Sequence, residues 1–252
     1  MTARHIAVAF AAVLALAGCN GSSDPGFQGW VEADLIFVGP DEVGRVETLS
    51  VREGDGITQG APLFSVDPQL QEADLAMAQA SLTNARQAYE RAQTLLKTTA
   101  GTQRAVDDAE AALRTAEARV ASAQTRLTRR KVSSPVTGSV QQIYYRPGEV
   151  VPAGRPVVSL LPPGNIKVRF FVPETELPKL SIGQNVRIRC DNCEKDISAR
   201  VSFISRTSEF TPPVIYSQDE RSKLVYLIEA RTETPQNLRV GQPVSVFPEE
   251  KK

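Results

Sequence analysis

Residues 43–66 and 137–160 are two copies of one pattern, and this repeat narrows the fold more than any other feature. They read VGRVETLSVREGDGITQGAPLFSV and TGSVQQIYYRPGEVVPAGRPVVSL, and align without a gap at a constant offset of 94. Gly44 matches Gly138, Val46 matches Val140 and Arg52 matches Arg146. Gly54 matches Gly148, Asp55 matches Glu149, Gly60 matches Gly154, Pro62 matches Pro156 and Ser65 matches Ser159. A motif that returns in register marks one structural unit made twice. Short apolar runs punctuated by Gly turns predict β-strands in each copy.

What separates the copies is a different kind of sequence. Residues 69–131 contain no Pro and a single glycine, Gly101. Leu75, Leu82, Tyr89 and Leu96 recur every seven residues, and Ala78, Ala85 and Ala92 follow the first three at a spacing of three. Past the centre, Val106, Leu113, Val120 and Leu127 repeat the period, with Ala109, Ala116 and Ala123 three residues on. Alternating steps of three and four are the seam of a coiled coil. Two such runs joined by a short segment from Thr98 to Thr102 predict an antiparallel helical hairpin. Each arm would extend about 45 Å at roughly 1.5 Å per residue. By itself this describes only a spacer.

The start of the chain has the organisation of a targeting segment. Arg4 and His5 precede an apolar stretch from Ile6 to Leu16, which ends in Leu16-Ala17-Gly18-Cys19. The stretch is too short to span a bilayer as a helix. Small residues before a cysteine resemble a bacterial lipobox, which implies cleavage before Cys19 and acylation of its thiol. Acyl chains supply membrane affinity of about 0.8 kcal/mol per buried CH₂. The expected mature chain then has no histidine, because His5 is the only one.

Cys190 and Cys193 lie in Arg189-Cys190-Asp191-Asn192-Cys193. In an oxidising compartment they could form a disulfide, remain free thiols, or serve a metal or redox site. A metal site needs about four ligands and no second cysteine pair exists. Redox pairs favour a helix start, whereas β-type sequence flanks this one. A structural disulfide is the preferred reading.

Residues 20–29 read as part of a polar tether, and Trp30 to Val38 as one strand. Leu161-Pro162-Pro163-Gly164-Asn165 is a breaker. Beyond it, Ile166 to Val246 alternates with period two, in runs such as Ile166-Lys-Val168-Arg-Phe170 and Val186-Arg-Ile188-Arg. This predicts antiparallel β structure. Pro173-Glu174-Thr175-Glu176 predicts a short helix over 173–180.

The repeated Gly-Asp/Glu turn followed by Gly-x-Pro resembles the half-motif of biotinyl/lipoyl domains. In carrier domains of that type, a modified Lys sits on the turn that joins the halves. Here the first half ends at Val66-Asp67-Pro68 with no Lys, and the helical run takes the place of that turn. A lipoyl-like module split by a coiled-coil hairpin, on an exported chain, resembles the HlyD-type membrane fusion proteins, the periplasmic adaptors of tripartite exporters. The expected fold class is α+β, elongated and multi-modular. It combines a split lipoyl-like β domain, an inserted antiparallel helical hairpin and a β-barrel, which 30–38 would join. The expected boundaries are 1–18 signal, 19–29 tether, 30–38 strand, 39–67 first half, 68–133 hairpin, 134–163 second half, 164–248 barrel and 249–252 tail. Because the chain stops soon after the barrel, a further membrane-proximal domain is not expected.

The resemblance also implies a docking site. In the family, hairpin tips that meet a TolC-type outer-membrane channel carry an Arg, a Leu four residues on and a Ser seven further. Arg91, Leu95 and Thr102 fit that spacing, with Thr in place of Ser. Ser208-Glu-Phe-Thr211-Pro-Pro213 and Ser217-Gln-Asp-Glu-Arg221 resemble adaptors that serve ABC-type exporters. The implied partners are an inner-membrane transporter, ABC type favoured, a TolC-type channel, and other copies of the chain in a ring of six. The implied place is the periplasm, with the lipid in the inner membrane favoured. The rival reading is a structural envelope lipoprotein with no transport role.

Chemistry is not expected. Without a mature histidine, Ser-His-Asp and Cys-His catalysis are excluded. There is no P-loop or GxGxxG, and no cofactor or metal is expected. Asp107, Asp108 and Glu110 read as a solvated helix face. A formal net charge of zero gives no reason to expect nucleic acid. Arg129-Arg130-Lys131 reads as a helix end, where cations favour the macrodipole.

Overall fold

The structure is a computed structural model and describes residues 26–191, 193, 196–210, 224–232 and 238–249. It is α+β and divides into two compact units. One runs from Ala33 to Asn165, and the other joins residues up to Glu32 to those from Ile166 onward. Cys19, the targeting segment, most of the tether, the tail from 250, and residues 211–223 lie outside the described residues.

The first unit is a β-sandwich with a helical hairpin inserted in it. Its strands are β2 (Ile36–Val38), β3 (Gly44–Leu49), β4 (Gly56–Ile57), β5 (Pro62–Val66), β6 (Lys131–Ser133), β7 (Gly138–Ile143), β8 (Val150–Val151) and β9 (Val158–Leu161). They form two sheets, in the orders β2-β9-β7-β4 and β6-β5-β3-β8. Exchanging each strand of the first four for its counterpart in the second four turns one sheet into the other. Each half therefore places two strands in both sheets, and neither half can close its core alone.

The turns repeat bond for bond. Gly54 N–H donates to the Val140 carbonyl at 2.8 Å, and Gly148 N–H to the Val46 carbonyl at 2.8 Å. The Asp55 carboxylate accepts from Arg52 N–H at 2.7 Å, and the matching Glu149 accepts from Arg146 N–H at 2.8 Å. The turn glycines have φ of 91° and 96°, which explains why this position is glycine in both copies. The core is the matched apolar set: Val46 with Val140, Leu63 with Val157 and Val66 with Leu160, all at most 1% exposed. Each such side chain contributes about 1.5–3 kcal/mol of burial.

The inserted hairpin consists of α1 (Gln69–Lys97) and α2 (Gln103–Thr128). The predicted seam is the face the helices share. Val106, Ala116 and Ala123 are buried and the other seam residues half-buried, while most flanking positions are exposed. Hydroxyls on the outer faces donate to carbonyls one turn back, as Thr94 does to Glu90 at 2.8 Å and Thr115 to Ala111 at 2.8 Å. Asp107, Asp108 and Glu110 are partners of Gln103, Arg104 and Arg114 on the same helix.

The second unit is a closed six-stranded barrel. Its strands are β1 (Phe27–Ala33), β10 (Ile166–Pro173), β11 (Asn185–Arg189), β12 (Ile197–Phe210), β13 (Leu224–Thr232) and β14 (Pro243–Pro248), in the order β1-β10-β13-β12-β11-β14. It too is a double. Ser181-Ile-Gly-Gln184 and Arg239-Val-Gly-Gln242 form the same turn. Gly183 N–H donates to Val201 O and Gly241 N–H to Val31 O, both at 2.8 Å. The Gln184 side chain accepts from Ser181 N–H at 3.0 Å and that of Gln242 from Arg239 N–H at 3.0 Å. In this pseudo-symmetry β1 is the counterpart of β12, so the N-terminal strand completes the barrel. Arg169 ties β1 to its neighbours through Glu32 at 2.9 Å and Glu229 at 3.7 Å.

Several expected boundaries move. The stretch 30–38 is not one barrel strand: β1 already begins at Phe27, inside the expected tether, and β2 pairs with β9 in the sandwich. The hairpin ends at Thr128 rather than 133, because Lys131–Ser133 is strand β6 beside β5. The barrel strands begin at Ile166 rather than 164, after a 3-10 turn at Pro163–Asn165. The helix expected over 173–180 is a single 3-10 turn, Leu177–Lys179. Pro173 is paired to Val225 in the barrel, and Pro178 has no N–H with which to extend a helix.

Candidate functional site

The hairpin has a fastened end and a free end, and the sequence-derived site lies at the free one. At the fastened end, the loop Pro40–Val43 grips both helices. Gln71 on α1 is 4% exposed and its amide donates to the Glu42 carboxylate at 2.9 Å. Arg130, just past α2, is 7% exposed. Its guanidinium donates to the Val43 carbonyl at 3.1 Å and lies 3.7 Å from the Glu42 carboxylate. Arg129 pairs with Asp41 at 3.1 Å, and Arg126 reaches across to Asp74 at 3.4 Å. The Arg129-Arg130 cluster is therefore more than a dipole complement: it bolts the hairpin to the sandwich. Arg130→Ala should lower the stability of this unit by about 2 kcal/mol, below the full cost of orphaning a buried charge because Glu42 is partly solvated. Chemical denaturation checks this.

At the free end, the loop 98–102 closes α1 with two bonds. Thr99 N–H donates to Leu96 O at 3.1 Å and Ala100 N–H to Leu95 O at 3.0 Å. This is a Schellman closure, and it needs a left-handed residue at the position of Thr99. Thr99 has φ of 56°, the one non-glycine residue with positive φ among the described residues. A β-branched side chain is strained there by about 1 kcal/mol. Thr99→Gly should therefore slow amide exchange in the last turn of α1, roughly fivefold for about 1 kcal/mol.

Arg91 and Leu95 are one turn apart on α1. Both are exposed, Leu95 at 49%, and both line a shallow depression with Gln87, Glu90 and Thr94. The structure brings these two sequence-derived residues together on one face. It places Thr102 elsewhere, as the residue that opens α2. Gln87, Glu90 and Thr94 belong to the same face but were not singled out by the sequence, where they read as ordinary solvated helix positions. Cys190 and Cys193 sit in the turn after β11 with Cα atoms 5.3 Å apart and their sulfurs joined. Among the described residues, no helix is long and apolar enough to cross a membrane.

The chain thus combines a split β-sandwich carrying a clamped helical hairpin with a β-barrel that flanks it in sequence. Residues 35–161, just over half of the chain, match the family described as RND MFP, barrel-sandwich hybrid domain. The chain belongs to the RND membrane fusion protein family. It is 29% identical over 274 residues to a UPF0194 membrane protein in the asrC 5'region of Acidithiobacillus ferridurans, covering 82% of this chain and 81% of that one. It is 31% identical over 162 residues to an uncharacterized protein of Haemophilus influenzae, covering 64% of this chain but only 42% of that protein's length. Among solved structures, it shares its fold with a MacA-MexA chimeric protein containing the Pseudomonas aeruginosa MexA alpha-hairpin domain. The TM-score is 0.75 at 22% identity, over 90% of this chain and 81% of that one.

Proposed function

We propose that this protein is a periplasmic adaptor that links an inner-membrane transporter to a TolC-type outer-membrane channel through its hairpin tip. The observation that carries this is the exposed Arg91–Leu95 face at the free end of a hairpin whose other end is bolted to the sandwich. A rigid arm with an apolar anchor and a guanidinium at its end suits a protein contact. Mid-helix charges paired within one helix do not. The transporter is read as an ABC exporter, from the resemblance of residues 208–221. Copies of the chain are read as a ring, six by family resemblance. Acylation of Cys19 would hold the ring on the inner membrane, and the Cys190–Cys193 bridge would brace the barrel turn. Energy for transport comes from the transporter, and the adaptor bridges and seals.

The test is purification of the tagged full-length chain from solubilised membranes, with quantitative identification of what accompanies it. Recovery of an inner-membrane transporter together with an outer-membrane channel supports the adaptor. Recovery of neither, from cells in which the chain is expressed and acylated, supports the envelope lipoprotein instead.

A further inference from the structure

We infer that Thr102 acts on docking indirectly: its hydroxyl caps α2 and so holds the tip loop against Leu95, and it is a positioning residue rather than a contact. This rests on the docking reading above. Thr102 has extended backbone angles, φ −115° and ψ 151°, and its side chain accepts from Ala105 N–H at 3.3 Å. Its carbonyl also accepts from Ala105 N–H at 3.1 Å and Val106 N–H at 3.4 Å. That is the geometry of an N-cap, in which a side-chain oxygen satisfies one of the orphan donors of a first turn.

No other side chain in the first turn of α2 supplies this. The turn contains no acidic residue, and the Gln103 amide is directed forward to Asp107 at 2.8 Å. The other helix has no such need. Asp67 accepts from Gln69 N–H at 3.0 Å at the start of α1, and β5 precedes it in a paired sheet. The first turn of α2 stands at the free end, where the cap is the local restraint.

The loop connects that cap to the docking face. A Cβ placed on Gly101, next to Thr102, would come within 3.1 Å of Leu95 Cβ and 3.0 Å of Leu96 N. The backbone before the cap thus lies directly on Leu95 and Leu96. Val106, 7% exposed, is the first seam residue of α2 and depends on the same turn. Fraying of the turn would free the loop that covers one side of Leu95.

Thr102→Val and Thr102→Asp separate the two roles. Valine keeps the shape of threonine and cannot cap, whereas aspartate caps well and carries a charge that a contact built for a neutral hydroxyl would reject. Two readouts apply to the full-length chain: amide exchange at Ala105 and Val106, and the yield of outer-membrane adduct from a photocrosslinking residue at position 94. The expected result is about fivefold faster exchange at Ala105 and a lower adduct yield in Thr102→Val, with both near the parent in Thr102→Asp. Unchanged exchange in Thr102→Val overturns the inference. So does a loss of adduct in Thr102→Asp as large as in Thr102→Val. Failure of the docking reading itself would show separately, as no outer-membrane adduct from the parent protein.

Discussion

Replacing Arg91 and Leu95 together by aspartate is expected to abolish engagement of the outer-membrane partner while leaving the fold intact. Both side chains point away from the helix seam: Arg91 is exposed and Leu95 is 49% exposed. Neither anchors the hairpin to the sandwich, so stability should change by no more than about 0.5 kcal/mol. At an interface their loss is of another order. An apolar anchor and an arginine are the residue types that concentrate binding energy, at about 2 kcal/mol or more each. Reversing one charge and placing a second carboxylate where Leu95 must be buried adds repulsion and desolvation. The combined loss is on the order of a thousandfold in affinity. The measurement is recovery of the outer-membrane partner alongside circular dichroism of the purified variant. Normal recovery with normal ellipticity would remove the tip from the docking role.

The second large effect concerns the sandwich. Residues 67–130 can be replaced by a turn of about four residues and the sandwich should still fold, because Ser65 and Lys131 are paired neighbours on β5 and β6. Two terms oppose each other. Excising the hairpin removes the Arg130 and Gln71 grip on Glu42, about 2 kcal/mol by the reasoning given for Arg130. It also shortens the loop that the unfolded chain must close, which favours folding by about 0.6 kcal/mol per halving, or roughly 2 kcal/mol over four halvings. The sandwich should keep its denaturation midpoint to within a small shift, lose nearly all helical ellipticity and lose the outer-membrane partner completely. A variant that cannot fold would mean that the hairpin is part of the sandwich core and not an insertion in it.

How far these features could be read from sequence depends on how each is encoded. The sandwich was legible because both halves bury the same positions: Val46 and Val140, Leu63 and Val157, and the same positive-φ turn at Gly54 and Gly148. Burial and backbone conformation constrain side chains, so two equivalent structures converge on one pattern. Its outer strands were assigned to the wrong modules, Ile36–Val38 to the barrel and Lys131–Ser133 to the hairpin, because three-residue edge strands carry no turn marker of their own. The barrel's own repeat rests on two four-residue turns, 181–184 and 239–242, too short to stand out from chance. Its strands were legible by alternation, and so was the N-terminal strand that joins them, but the extent of that strand was not, since Ile36–Val38 pairs with β9 in the sandwich instead.

At the proposed docking site, Arg91 and Leu95 were singled out by the family resemblance, and a step of four puts the two on one helical face. Thr102 met the same spacing rule, yet the structure gives its hydroxyl to Ala105 N–H. Spacing identifies a position and not the bond its side chain makes. The grip of Arg130 on Glu42 and Val43 joins residues 87 and 88 apart, and no local pattern announces it.

The most direct test of docking through the hairpin tip is a photocrosslinking residue placed at Thr94 in the living cell, beside Leu95 but replacing neither anchor, with Glu117 midway along α2 as the comparison site. An adduct with an outer-membrane channel protein is expected from position 94 and none from position 117, and the adduct should disappear when Arg91 and Leu95 are aspartate. Equal adducts from both positions, or an adduct that survives the double substitution, would contradict docking through the tip.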